Sequence, residues 1–308
     1  TSFVEITDPY KPIFLGTLAG MNNGESTMWR DVKVVDHFAL IVAELENHGM
    51  QIFDLEELLT ASPTKPKKFC ASTHYSGFGN AHNLFANEDT SFVYAVGSNT
   101  CDEGLHIIDM KDPLNPKFSA CFGEDGYVHD VQCVVYAGPD VQYTDHEICF
   151  CSNEDSVTIV DVTDKSDIQL LSKTSYKKSS YTHQGWLTDD HKHFIFNDEL
   201  DEFQVMIFRT RTHVMDVRRL SRARYVGFHN GRTGAIDHNL YILRDLVYQA
   251  HYRSGLNILK IIDVSTANFE EAGYFDVFPS SDSTAFNGAW STYPYHSSGA
   301  VTVSGIEQ

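Results

Sequence analysis

The sequence predicts an all-β fold, a six-bladed β-propeller of four-stranded blades forming one domain over residues 1–308. Three observations carry that expectation. A hydrophobic stretch ending in an acid recurs six times, a second polar landmark recurs six times with a similar period, and the chain termini supply complementary halves of one unit.

The first landmark reads Phe3-Val4-Glu5-Ile6, Ile52-Phe53-Asp54-Leu55, Ile107-Ile108-Asp109-Met110, Ile159-Val160-Asp161-Val162, Val214-Met215-Asp216-Val217 and Ile261-Ile262-Asp263-Val264. Its acids are spaced 49, 55, 52, 55 and 47 residues apart. An acid at a strand end beside a turn usually caps that turn through backbone N–H groups, and that is the role expected of these six. The second landmark begins at Arg30, His82, His129, His183, His238 and Asn287, at intervals of 52, 47, 54, 55 and 49.

Between the landmarks lie further β-branched and aromatic runs, such as Phe38-Ala39-Leu40-Ile41-Val42 and Phe92-Val93-Tyr94-Ala95-Val96. Each unit therefore holds about four short strands, and only Leu55 to Ala61 hints at helical spacing. Residues 1–18 read as the third and fourth strands of a blade, and residues 289–306 as the first and second. The N-terminal and C-terminal strands are thus expected to share one blade and to close the ring, removing exposed sheet edges. Trp186, Trp290, Tyr241 and Phe85 are expected between blades.

Composition narrows the partners. The chain is 42% hydrophobic and 21% charged, as globular proteins are, and its formal net charge is −19. Such a surface repels phosphate backbones and anionic lipid, so no nucleic-acid partner is expected. No apolar run approaches the ~20 residues of a membrane span, so no transmembrane segment is expected. The chain opens on strand-like residues with no signal peptide, the pattern expected if a leader has been removed. Six cysteines are present without a CxxC pair, which disfavours a thiolate zinc knuckle and leaves disulfides and buried thiols both open.

In a propeller the innermost strands line an axial channel, so the six second-landmark residues are expected to form a ring. His82, His129, His183 and His238 are the candidate metal ligands, because imidazole suits Zn, Cu and Fe and short metal–nitrogen bonds demand convergence. Mn and Ca are kept as further candidates. Arg30, Asn287, Asp130, Asp237, Glu44 and Glu199 are candidates for supporting or ligand-binding roles, with Glu103, Glu154, Glu202, His48 and His74 within reach. The alternative for each histidine is a hydrogen bond to the neighbouring blade's backbone. Asp125, Asn153, Glu154 and Asp155 could supply oxygens to Ca²⁺, without EF-hand spacing. No catalytic residue is assigned: nucleophile elbow, Walker loop and HExxH are all absent. The paired acids Glu199 and Asp201 invite a glycosidase idea that stays empty without a carboxylate separation.

The repeat units resemble the LVIVD repeat, and the whole chain resembles the choice-of-anchor B family of cell-surface proteins. The residues that carry this include Trp29-Arg30-Asp31, His74-Tyr75-Ser76-Gly77-Phe78-Gly79, Tyr181-Thr182-His183-Gln184-Gly185-Trp186, Asn197-Asp198-Glu199-Leu200-Asp201-Glu202 and Ile236-Asp237-His238-Asn239-Leu240-Tyr241. The resemblance implies a propeller and an extracellular or cell-surface location. It also implies two disulfides, Cys101–Cys121 and Cys133–Cys149, with Cys70 and Cys151 outside them. The expected function is a binding or structural module with a metal-capable axial site, whose channel mouth takes a protein, glycan or small molecule or serves an extracellular assembly. A metal-dependent oxidoreductase or hydrolase is the alternative.

Overall fold

Strands form where β-branched and aromatic residues run together, because both faces of a pleated ribbon can then be packed. The structure is a computed structural model that describes residues 1–21, 27–205 and 207–307. It contains two compact units, Thr1–Tyr127 and Val128–Gln308.

In the first unit the strands are β1 (Ser2–Glu5), β2 (Ile13–Leu18), β3 (Arg30–Val35), β4 (Phe38–Ala43), β5 (Met50–Asp54), β6 (Lys67–Phe69), β7 (Thr73–Tyr75), β8 (Asn83–Asn87), β9 (Phe92–Val96), β10 (Leu105–Asp109) and β11 (Lys117–Phe122). Two antiparallel four-stranded sheets result, β3-β4-β5-β7 and β8-β9-β10-β11. The core between them includes Leu40, Met50, Ile52, Leu84, Val93 and Ile108, all essentially inaccessible. Burying each such side chain contributes roughly 1.5–3 kcal/mol before entropy is counted.

The second unit holds β12 (Asp130–Val135), β13 (Glu147–Ser152), β14 (Val157–Asp161), β15 (Gln169–Thr174), β16 (Thr182–Leu187), β17 (His193–Asp198), β18 (Arg211–Asp216), β19 (Arg224–Asn230), β20 (Asn239–Leu243), β21 (Leu246–His251), β22 (Gly255–Asp263), β23 (Asn268–Phe275), β24 (Ala289–Tyr293) and β25 (Thr302–Gly305). Three antiparallel four-stranded meanders, β12 to β15, β16 to β19 and β20 to β23, are followed by the pair β24-β25. Trp186 and Tyr241, from successive sheets, meet edge to face at 4.9 Å, and Trp290 packs on His238.

The strand-end acids do what was expected of them. Asp54, Asp109, Asp161, Asp216 and Asp263 each accept from the backbone N–H two residues on, at 2.9–3.1 Å. In the first repeat this bond is made by Asp8, which accepts from Tyr10 N, rather than by Glu5. Leu55–Thr60, where helical spacing was expected, is a 3₁₀ turn capped by Asp54.

Successive inner strands are tied by a second repeated bond. Asp31 Oδ2 accepts from Leu84 N, Gln132 Oε1 from Leu187 N, and Gln184 Oε1 from Leu240 N, at 2.7–2.9 Å. Each side chain sits on the first strand of one sheet and satisfies a backbone donor on the first strand of the next.

Both expected disulfides are present: Cys101–Cys121, and Cys133–Cys149, whose residues are directly opposed on β12 and β13. The terminal strands lie in separate units. Among the described residues, β1 and β2 form a sheet with β6, and β24 and β25 form a separate sheet. The outer edge of β2 is taken in parallel by Lys67–Phe69, a pairing the repeat does not predict. Among the described residues no helix is long and apolar enough to cross a membrane.

Candidate functional site

The second-landmark residues open the first strands of their sheets, as expected: Arg30 begins β3, His82 precedes β8, His129 precedes β12, His183 is the second residue of β16, and His238 precedes β20. What each side chain then does differs.

In the first unit His82 Nδ1 pairs with Glu44 Oε1 at 2.5 Å. Glu44 follows β4, so a glutamate from the loop between second and third strands meets the histidine of the next sheet. Gly97 lets the backbone close on this pair. Its φ is +55°, and a Cβ there would fall 2.7 Å from His82 Cβ. Arg30 is exposed and its Nε donates to the carbonyl of Thr27. His48 is buried with Nδ1 donating to the Gly49 carbonyl, and burial lowers its pKa. His74 Nε2 donates to the His48 carbonyl.

In the second unit three imidazoles stand in a row. Ring centroids are 4.0 Å apart for His129 and His183, and 4.2 Å for His183 and His238. His129 Nδ1 donates to the His183 carbonyl at 2.9 Å, and His238 Nδ1 donates to the Trp290 carbonyl at 2.5 Å. Both tie one sheet's opening to the next, the backbone role weighed above. These bonds place a proton on Nδ1 of His129 and of His238 and turn Nε2 of each ring the other way.

Glu199, in the loop after β17, receives that face. Its Oε2 lies 3.8 Å from His183 Nε2 and its Oε1 3.6 Å from His238 Nε2. Ligand atoms of all three residues fall within 4.8 Å of one another. Donors on a tetrahedral zinc at ~2.05 Å lie ~3.3 Å apart, so one transition metal ion would draw each imidazole closer to the carboxylate than it now lies. The donor set, two imidazoles and a carboxylate, is one such ions take. Tyr252 orients the carboxylate by donating to Glu199 Oε1 at 2.6 Å, and burial beside that charge raises the Tyr252 pKa. Behind it, His251 is wholly buried and its pKa falls to about 3, first through desolvation. His129, next in the row, is outside the converging triad.

The remaining candidates go elsewhere. Asn287 Oδ1 accepts from the Arg253 guanidinium, and its amide donates to Glu307. Asp237 turns away from the imidazoles: its Oδ2 accepts from Arg211 N, and its carboxylate joins Asp201 and Glu202. Asp130 lies on β12, at the opening of its sheet. Of the oxygens considered for Ca²⁺, Asp125 belongs to the first unit and Asn153, Glu154 and Asp155 to the second; Asp155 is held by Ser156 and Lys173. Among the described residues these four do not form a convergent ligand group.

Sequence reasoning missed the Asp201–Glu202–Asp237 group as a unit, along with His213 and Tyr252. Asp201 and Glu202 open a one-turn helix, Asp201–Gln204, and nothing in their spacing announces that Asp237, from the next repeat, lies against them.

No family model matches the chain, and no curated protein does. Solved structures do resemble it. A protein of Bacteroides uniformis provisionally assigned as a 6-phosphogluconolactonase aligns with a TM-score of 0.64 at 14% identity, over 89% of this chain and 78% of that one. The periplasmic gluconolactonase PpgL of Pseudomonas aeruginosa aligns at 0.59 and 6% identity, over 87% and 74%. A protein of unknown function from Desulfotomaculum acetoxidans aligns at 0.57 and 12%, over 89% and 77%. Together with the repeated four-stranded antiparallel sheets, this likeness establishes the class, a β-propeller, and at such identities it carries the fold alone.

Proposed function

We propose that this chain is an extracellular or cell-surface β-propeller of the LVIVD-repeat, choice-of-anchor B kind that acts as a binding module built around a transition metal ion held by His183, Glu199 and His238. The six-blade, one-domain reading rests on the sixfold repeat. The location rests on the two disulfides, which persist in oxidising compartments, and on the family resemblance.

The observation that carries the proposal is the approach of two imidazole Nε2 atoms to the two oxygens of one carboxylate. With Nδ1–H of His238 committed to the Trp290 carbonyl, Nε2 is the ring atom turned toward the Glu199 carboxylate. A cation between them makes the arrangement favourable. Elemental analysis of the purified native chain tests this. About one equivalent of Zn, Cu, Fe or Mn is expected, lost in His183→Ala and His238→Ala. A metal-free protein that takes up none of these ions on exposure would end the proposal.

One feature favours a second reading, a metal-dependent hydrolase. Three protein ligands leave a coordination position for water or substrate, and a bound ion would supply Lewis-acid chemistry there. Two of the proteins similar in fold carry lactonase names. Lactone hydrolysis by the metal-loaded chain, abolished in His183→Ala, is the result this reading requires.

A further inference from the structure

A second group of convergent ligand atoms, chemically different from the first, lies in the second unit. Asp201, Glu202 and Asp237 are 1%, 4% and 0% exposed, and ligand oxygens from all three lie within 4.8 Å of one another. Both oxygens of Asp201, both of Glu202 and Oδ1 of Asp237 are buried without a protein donor, while Asp237 Oδ2 accepts only from Arg211 N at 2.8 Å. A buried carboxylate oxygen without a donor costs several kcal/mol, so a cluster of five such atoms is not a feature a core keeps for stability alone.

A separate side chain points at the same spot. His213, on β18, is 2% exposed, and its Nδ1 is engaged with Tyr225 Oη at 2.9 Å. Its Nε2 is buried, has no hydrogen-bond partner, and lies 3.7 Å from Asp201 Oδ2. That is too long for a hydrogen bond and the right distance for two donors that share an ion. Arg211 approaches Asp201 Oδ2 only to 3.9 Å, with its guanidinium stacked on Phe228. Burial and the neighbouring acids push the Glu202 and Asp237 carboxyls well above the ordinary range, and a divalent ion among them would relieve that repulsion where the Arg211 guanidinium does not. Neighbouring Asp198 is already satisfied by Tyr176 Oη, Ser180 N and Tyr181 N, so it is a wall of the site rather than a ligand.

We infer that Asp201, Glu202 and Asp237, with His213 beside them, bind a hard divalent cation, Ca²⁺ or Mn²⁺. Carboxylate oxygens suit these ions, and two oxygens on one Ca²⁺ at ~2.4 Å can be no more than ~4.8 Å apart. The site is distinct in composition from the His183–Glu199–His238 centre and does not depend on it.

The test uses the whole chain, freed of metal by a chelator and titrated with Ca²⁺ or Mn²⁺ by calorimetry, with thermal unfolding followed in parallel. One equivalent is expected to bind and to raise the unfolding temperature, read with Ca²⁺ on the otherwise unchanged chain and with Mn²⁺ on chains that also carry His183→Ala and His238→Ala, where the imidazole centre takes none. Both effects should vanish in the near-isosteric Glu202→Gln and Asp237→Asn variants and survive in the double variant His183→Ala, His238→Ala. Preference for Mn²⁺, weakened in His213→Gln, would place the imidazole among the ligands; preference for Ca²⁺, unaffected by that change, would leave it outside. If neither ion binds or stabilises the chelated wild type, or if binding persists in both carboxamide variants, the inference is wrong. Two neutral variants more stable than the wild type at every ion concentration would show that the carboxyls simply share protons.

Discussion

His82 with Glu44 and His238 with Glu199 are the same contact made in two units, and they have different consequences. In each, a glutamate from the loop after a sheet's second strand meets the histidine that opens the next sheet, 38 residues on for Glu44 and 39 for Glu199. In the first unit the partner atom is Nδ1, and the pair closes on itself at hydrogen-bonding distance. In the second, Nδ1 is spent on a backbone carbonyl and Nε2 faces the carboxylate from 3.6 Å. The third participant differs as well. At the repeat position where the second unit offers His183, the first offers Arg30. A repeat therefore copies the scaffold of a site without copying its chemistry. The ring nitrogen turned to the carboxylate, and one neighbouring side chain, distinguish the two copies.

Removing one imidazole from each unit is the strongest test of that comparison. His238→Ala is expected to abolish transition-metal binding, whereas His82→Ala leaves the bound equivalent intact; metal content by mass spectrometry reads both. Equal loss from the two variants would erase the distinction.

Acid comes next, because it acts on the scaffold rather than on the site. His106 in the first unit is held between Tyr75 Oη and Thr100 Oγ1, each at 2.8 Å, and burial lowers its pKa to about 4. The unfolded chain takes up that proton near the ordinary value of ~6.5, so the stability it contributes is present above that pH and is lost as pH falls toward 4. The loss is expected to reach at most about 3 kcal/mol, read from urea midpoints at several pH values, and to shrink in His106→Gln. An unchanged pH slope in that variant would remove His106 from the account.

The smallest expected effect sharpens the second unit alone. Tyr252→Phe deletes only the hydroxyl that holds Glu199 and is expected to weaken metal binding roughly 10–100-fold without changing the fold. Competition with a chromophoric chelator measures it.

Much of this molecule could be read from its sequence because its strands repeat locally. The capping acids Asp54, Asp109, Asp161, Asp216 and Asp263 act within two residues of themselves, and the opening positions of the first strands follow from the same period. What the period does not encode is contact across repeats. Nothing near Lys67–Phe69 indicates that it leaves its own sheet to pair with β2. Nothing near Glu199 indicates that it will face Nε2 of two histidines while Glu44 faces Nδ1 of one. Asp237 is adjacent to His238 in sequence, but successive residues at a strand opening point opposite ways, and its carboxylate lies with Asp201 and Glu202.

The ties from Asp31, Gln132 and Gln184 bear on how the chain is made. Each side-chain oxygen waits for a backbone N–H that lies 53, 55 or 56 residues downstream. On a ribosome delivering about 5–20 residues per second, that is a delay of several seconds during which the innermost ribbon of a newly emerged blade lacks its permanent neighbour. Translation pauses placed one repeat apart would prolong that exposure, and chaperones that shield unpaired ribbons would find their binding opportunities recurring at the same interval.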